Sequence, residues 1–256
     1  MKTSLLKRSA SGLGNVCRKP LSVIALAAIA VGAAIVGEPA LASVQVPNGS
    51  IVAIESGSAN AISVTALTNA TEAVATSAGH TLVNGDFVEI VSGWSRLTNK
   101  IVRVKGVAGS NFTLEGIDTS NLSIYPAGGG IGTAAKVSGW TQLSQILGSS
   151  SSGGEQQFLE YQFLESDSQK RIPTFKSAAG LTFTVGDDAT LPGFILASTA
   201  NDDRLPRAVR VTLASGAIIL YNAFISLNKT PTLTVNELMA CEVTLSLLNE
   251  PVRYAA

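Results

Sequence analysis

TEAVATSAGHTLVNGDFVEIVSGWSRLTNKIVRVKGVAGSNFTLEGID, residues 71–118, is the stretch of the chain with the densest local signals for structure. Short runs rich in β-branched residues alternate in it with clusters of Gly, Asn, Asp and Ser, which favour turns. The runs are Glu72–Thr76, Phe87–Val91, Lys100–Val107 and Asn111–Ile117. Because the connections between the runs are short, the pattern predicts a small up-and-down β module.

Longer strands are predicted downstream, where apolar and polar residues alternate with a period of two. Leu181, Phe183 and Val185 are interleaved with threonines, and a similar alternation runs through residues 159–163, 209–213 and 241–247. Alternation of this kind is typical of half-buried strands in a largely antiparallel sheet. The polar residues of three of these strands are Glu160, Gln162, Thr182, Thr184, Glu242, Thr244 and Ser246.

Helices are predicted at only two places, so the fold class is mainly β. Thr190–Ala197 begins with a residue suited to an N-cap, followed by Pro192 in the first turn. Trp140–Leu147 has apolar residues at helical spacing, although its pattern also fits a strand. The low-complexity stretch after it predicts a mobile loop in the isolated subunit. This loop consists of Gly148, Ser149, Ser150, Ser151, Ser152, Gly153 and Gly154.

Residues 1–42 have the three parts of a secretory signal. A basic segment ends at Lys19, an apolar run covers residues 21–36, and Ala40-Leu41-Ala42 forms an A-x-A cleavage site. The alternative is that the leader is never translated and the protein starts at a later codon. After the leader we predict an N-terminal arm and strand over residues 43–58, the small β module over 59–125, and a β core over 126–256 with its mobile loop at 148–154.

Charge and cysteine content narrow the functions that the body of the chain can have. The leader holds five of the 18 basic residues and one of the 18 acidic ones, so the remainder carries 13 against 17, a net charge of −4. Proteins that grip nucleic acid need clustered cations to neutralise phosphates, and this composition argues against such binding. Without the leader the chain keeps only Cys241, which excludes an intrachain disulfide.

Residues suited to catalysis are scarce. His80 is the single histidine and sits in a turn beside Gly79, where a structural role is expected. The pairs Asp187-Asp188 and Asp202-Asp203 lie next to turns or helix ends, where Asp caps backbone N–H groups. The glycines form no phosphate-binding motif, and no serine or threonine has an activating partner. We therefore expect no enzymatic activity, no cofactor and no metal.

Three segments nevertheless resemble a known family. They are TALTNATEAVATSAGHTLVNGDFVEIVSGWSRLTNKIVRVKGVAGSNFTLEGIDTSN, RIPTFKSAAGLTFTV and PTLTVNELMACEVTLSLLNEPVRY. In this order they are similar to the tail tube proteins of long-tailed bacteriophages with flexible, lambda-like tails, over Val46–Tyr254. The resemblance implies a β-sandwich or barrel-forming sheet whose subunits form hexameric rings, and these rings stack into a tube through which phage DNA passes without specific binding.

The same resemblance implies partners and locations. The partners would be other copies of the chain together with tape measure, tail terminator and baseplate proteins, and the body would need no membrane. The protein would assemble in the host cytoplasm and reside in the virion tail. The seven polar residues of the alternating strands would line the lumen, and Gly148–Gly154 would contact the neighbouring ring. The alternative, supported by the leader, is a secreted or cell-surface β-sandwich binding protein in the periplasm or outside the cell.

Overall fold

The computed structural model describes residues 48–256, so the predicted leader and the first residues of the predicted N-terminal arm lie outside the described residues. This part of the chain holds sixteen strands and one α-helix, which confirms the mainly β class. The helix α1 covers Pro192–Asp203. The strands are β1 Ile51–Ser58, β2 Ile62–Val64, β3 Ala66–Leu67, β4 Val74–Thr76, β5 Phe87–Ser92, β6 Lys100–Ala108, β7 Asn111–Leu114, β8 Gly132–Leu143, β9 Ile146–Ser152, β10 Gln156–Tyr161, β11 Lys170–Lys176, β12 Gly180–Gly186, β13 Pro206–Thr212, β14 Ile218–Thr232, β15 Ala240–Leu247 and β16 Val252–Tyr254.

Fourteen strands form one antiparallel sheet that curls into a half-barrel. Its order is β3-β4-β7-β6-β5-β8-β1-β13-β14-β15-β12-β9, with β2 paired to β8 and β16 paired to β14. The twelve-residue strand β8 holds the sheet together, because its first half pairs with β5 and its second half with β1. Strands β10 and β11 pair only with each other among the described residues.

The larger hydrophobic core lies between α1 and one face of the sheet. Helix residues Phe194, Ala197 and Ala200 are buried there against the apolar positions of the alternating strands. Those positions include Val52, Ile54, Val209, Ile225, Leu227, Val243, Leu245, Phe183 and Val185. The period of two seen in β12 and β15 therefore has its expected cause, since one face of each of these strands packs in the core and the other is more exposed.

A second core lies within the small β module. Phe112, Leu97 and Trp94 are buried in it together with apolar residues of β4–β8. Four of its strands match the predicted runs, but the predicted up-and-down order is wrong in one place. Strand β4 pairs with β7 and not with β5. Ten residues separate β4 from β5, which is long enough for the chain to cross to the far edge instead of turning back as a hairpin.

Three local predictions need correction. Helix α1 has Leu191 as its N-cap, while Thr190 donates its N–H and its hydroxyl to Asp188 in the preceding turn. Trp140–Leu147 contains no helix, because β8 continues to Leu143 and a turn with Gln145 at φ 58° leads into β9. The predicted mobile loop is largely strand β9, because β12 supplies backbone partners for it from Ser152 to Ile146. Only Gly153 and Gly154 of this stretch lie outside the strand, and both have positive φ.

The boundary between residues 59–125 and 126–256 stays a prediction. Strand β8 contributes Ala134 to the module core and Leu143 to the larger core, so one strand serves both. A third cluster, with Ile101, Ala208 and Leu220 at its centre, joins β6 of the module to the opposite face of the larger sheet. Within residues 48–256 no helix has both the length and the apolar composition needed to cross a bilayer.

Candidate assembly surfaces

A continuous polar surface covers the side of strands β14, β15, β12 and β9 that faces away from α1. Thr182 lies opposite Thr244 on β15 and opposite Ser150 on β9, and Ser226 on β14 extends the same row. The hydroxyls of Thr182 and Thr244 are 3.3 Å apart, within hydrogen-bond distance. We call this surface the polar face, and its polar side chains are Ser226, Asn228, Glu242, Thr244, Ser246, Thr182, Thr184, Ser150 and Ser152.

The polar face is almost uncharged. Glu242 is its only ionisable residue, and it is exposed. Lys229 follows Asn228 on β14 but turns to the helix side, where its Nζ lies 3.1 Å from Asp202 Oδ2. A surface of hydroxyls and amides with one carboxylate and no cation offers nothing that would hold a phosphate backbone.

Five of the seven residues predicted to line a lumen lie together on this face. They are Thr182, Thr184, Glu242, Thr244 and Ser246. Glu160 and Gln162 do not join them, because β10 belongs to the separate two-stranded sheet. Glu160 pairs with Arg171 at 2.5 Å, and the Gln162 side-chain amide donates to the Ser166 carbonyl at 2.7 Å. Alternation alone cannot show to which sheet a strand belongs.

The polar face ends at a free strand edge on each side. On one side, β9 pairs with β12, and no strand among the described residues pairs with its outer edge. On the other side, the pairing of β13 with β14 ends at Phe224, which leaves Ile225–Thr232 without a strand partner on that side among the described residues. The Leu227 N–H on this edge is bound by the Asn201 side chain of α1, 3.2 Å away. Open edges of this length are templates for pairing with another chain.

The hairpin of β10 and β11, which we call the arm, exposes large apolar side chains on both of its surfaces. Leu164 at its tip is fully exposed, and Phe175 is 68% exposed near its base. Others at about half exposure are Phe158, Leu159, Phe163 and Ile172. An isolated two-stranded hairpin is at best marginally stable in water, so the arm needs a partner to cover it. The sequence predicted β10 as a half-buried strand of the main sheet and missed this exposure.

The candidate catalytic residues have structural contacts. His80 Nδ1 accepts the Leu82 N–H at 3.3 Å, and its ring meets Phe112 edge-on at 5.3 Å between ring centroids. Asp188 and Asp203 accept backbone N–H groups from Thr190 and Leu205. Within residues 48–256 no three His, Cys, Asp or Glu side chains are grouped so as to hold a metal ion.

Cys241 is the cysteine of the larger core, where its thiol lies 3.6 Å from Asp187 Oδ1. Burial raises the pKa of this thiol, and the neighbouring carboxylate raises it further. Because the thiolate is the reactive form, this environment makes the thiol a poor nucleophile.

The part of the chain that carries these surfaces matches a known protein family. The model of the phage tail tube protein family, TTP, matches residues 92–256, more than half of the chain. The chain belongs to the phage tail tube protein family. The matched residues include the whole polar face, both free edges, the arm and α1. The predicted resemblance to phage tail tube proteins is thereby confirmed, and it gives this tail tube protein a structural role in the virion tail.

No curated sequence matches. Among solved structures, the sheath/tube terminator of the extracellular contractile injection system PVC is 16% identical with a TM-score of 0.32, over 41% of this chain and 84% of that one. The PVC sheath-tube complex is 17% identical with a TM-score of 0.32, over 42% of this chain and 80% of that one. The anti-feeding prophage tube terminating cap is 18% identical with a TM-score of 0.30, over 42% of this chain and 79% of that one. The assignment to the tail tube family rests on the family match.

Proposed function

We propose that the chain is the major tail tube subunit of a long-tailed phage, forming hexameric rings that stack into a conduit for DNA. The observation that carries this proposal is the polar face. It is a four-stranded surface with no basic side chain, bounded on both sides by free strand edges. A wall segment of a DNA conduit needs both properties, a surface that does not grip phosphates and edges that continue into the next segment.

Ring closure follows from joining the two edges. The outer edge of β9 in one copy pairs with the Ile225–Thr232 edge of β14 in the next copy, so that the polar faces form one continuous surface. The contact is head-to-tail, and head-to-tail contacts close into a ring when the rotation between copies is an integral fraction of a turn. A closed sheet has no free edges, which explains why a long, exposed edge strand such as β9 is tolerated. The sixfold symmetry is taken from the family resemblance.

Stacking of the rings is assigned to the arm. Residues Gly148–Gly154 were predicted to contact a neighbouring ring, but the place of Gly148–Ser152 in an edge strand suits contacts within a ring better. The arm, with apolar side chains on both surfaces, has the area that a contact between rings needs. Tape measure, tail terminator and baseplate proteins are the further partners that the family resemblance implies, with assembly in the host cytoplasm. The role needs neither catalysis nor a cofactor.

The experiment that tests this function is electron microscopy of the purified protein. We expect the full chain, or a version starting at Ser43, to give rings of six subunits and tubes in negative stain. A shared polar face predicts an inner wall formed by four strands per subunit at higher resolution. Protein that remains monomeric at high concentration in the presence of tail initiator proteins would contradict the proposal, as would tubes whose inner wall is formed by the module.

A further inference from the structure

A polar cleft of about 560 Å³ lies where the base of the arm meets the module. Arm residues Phe175 and Lys176 form one wall, and module residues Arg96 and Lys100 form the other. Glu250, just before β16, lies between the two walls. The cleft is therefore the place at which the arm leaves the body of the subunit.

The cleft has more positive than negative charge. Lys176 forms an ion pair with Glu250, whereas no hydrogen bond or ion pair is found for the side chains of Arg96 and Lys100 among the described residues. Lys176 lowers the pKa of the Glu250 carboxyl most, and Lys100 and Arg96 lower it further, so all three cations act on this single carboxylate. Lys100 is half-buried, and burial together with Arg96 lowers the pKa of its ammonium group. A further anion in the cleft would relieve this imbalance.

The tip of the arm, residues 162–169, has the complementary charge. Glu165 and Asp167 are exposed, and neither makes an ion pair within the part of the chain that the structure describes. The tip has no basic residue of its own. Its shape is held by the Ser166 N–H, which donates to the Phe163 carbonyl at 3.0 Å, and by the side chain of Gln162. Two carboxylates are thus presented on a turn with a defined conformation.

The tip cannot fill the cleft of its own subunit. Gln156 lines the cleft and Tyr161 ends the same strand, so the tip begins about 16 Å away at the usual rise of about 3.3 Å per residue. Any pairing between the two charges is therefore intermolecular. It is also head-to-tail, because the tip and the cleft are different surfaces, and such contacts repeat along a stack.

We propose that the tip of one subunit's arm docks into the basic cleft at the base of the arm in another copy of this chain, with Glu165 and Asp167 facing Arg96 and Lys100. This inference rests on the proposed stacking role of the arm and identifies its receptor. Docking places the acidic tip of one copy between the arm and the module of the receiving copy. Each stacking step therefore also holds the arm of the receiving copy in position. Nucleic acid suits the cleft less well, since Glu250 lies among the cations and phosphate backbones are held by larger basic surfaces.

Charge exchange tests the pairing. The cleft variant Arg96→Glu/Lys100→Glu and the tip variant Glu165→Lys/Asp167→Lys are each expected to reduce tube formation by about tenfold or more, because like charges would face one another. The chain that carries all four changes should recover tubes to within about threefold of the unmodified protein, since opposite charges again meet. Lys105→Glu, an exposed reversal elsewhere on the module, serves as the control. Failure of the fourfold variant to recover, with both parents folded, overturns the pairing.

Crosslinking gives a second measurement that does not require tubes. In a Cys17→Ser background, full-length chains with Arg96→Cys and chains with Glu165→Cys are mixed at high concentration and oxidised mildly. We expect disulfide-linked heterodimers at least about fivefold above a control mixture of Lys105→Cys with Glu165→Cys, because only the first pair is brought together by docking. Tubes without this excess overturn the docking while the proposed function stands. Crosslinks without tubes support the docking and count against the proposed function.

Discussion

At the scale of one residue, Glu55 shows how burial of both faces of a strand changes the pKa of a side chain. The β1 sequence IVAIE has apolar residues on both faces, and the structure buries both, with Val52 and Ile54 in the larger core and Glu55 only 9% exposed on the other side. Its Oε2 accepts the Ala208 N–H at 2.9 Å. Burial raises the pKa of this carboxyl, the Ala208 hydrogen bond opposes the change, and nearby Glu89 adds to it.

The raised pKa of Glu55 predicts a pH-dependent gain of stability in Glu55→Gln. A carboxyl with a raised pKa in the folded state stabilises the protein only below its unfolded pKa, and that contribution is lost as the pH rises through the folded value. Glutamine stays neutral and keeps an oxygen for the Ala208 N–H. We expect Glu55→Gln to raise the free energy of unfolding by about 1 kcal/mol at pH 8 and to have little effect at pH 4, measured by urea unfolding.

Glu115 provides a control with the opposite sign. Arg103 lowers the pKa of the Glu115 carboxyl through a hydrogen bond and ion pair, so this group stabilises the fold above its unfolded pKa and the contribution is lost as the pH falls. Glu115→Gln should therefore destabilise at pH 8 and have little effect at low pH. The change in the free energy of unfolding caused by Glu55→Gln should be more favourable at pH 8 than at pH 4. A change that is less favourable at pH 8 than at pH 4 would falsify the account.

Strand β9 shows at the scale of an element what local sequence cannot reveal. Gly148-Ser-Ser-Ser-Ser152 has no apolar alternation and reads as a loop, yet β12 pairs with it along its length. The pairing comes from residues about thirty positions away, and no local pattern records it. By contrast, β12 and β15 were predictable, because each strand packs one of its own faces in the core and its sequence alternates accordingly.

The outer edge of β9 can be blocked without disturbing its inner edge. Gly186 donates its N–H to the Gln145 carbonyl on the β9 side, and by alternation the Ser149 and Ser151 N–H groups point outward. Ser149→Pro removes an outward donor, which an edge strand tolerates. We expect ring formation to fall by about tenfold while circular dichroism and thermal unfolding of the monomer stay unchanged. Ser149→Ala keeps the donor and should form rings normally, and rings from Ser149→Pro at normal yield would exclude pairing at this edge.

At the scale of the whole molecule, the sequence conveyed the fold class and the family better than the assembly surfaces. Four of the module strands, the antiparallel sheet and five of the polar-face residues follow from local patterns, because each is recorded in a few neighbouring residues. The arm and the free edges depend on which strands lack partners, and this is a property of the complete topology. Glu160 was grouped with Glu242 for that reason, although the structure places it on the arm.

Because Glu242 lies on the polar face and Glu160 does not, a charge change at Glu242 alone tests whether this face lines the DNA conduit. If the polar face lines the lumen, Glu242→Lys replaces the single carboxylate of this face with a cation in every subunit, and phosphates passing it would be held by the added charges. We expect DNA ejection from assembled particles to slow by about tenfold in low salt and by much less in high salt, followed by the fluorescence of a dye that binds released DNA. Glu237→Lys makes the same charge change in the exposed loop between β14 and β15 and should leave ejection unchanged. Equal ejection rates for the two variants would mean that the polar face lies outside the conduit.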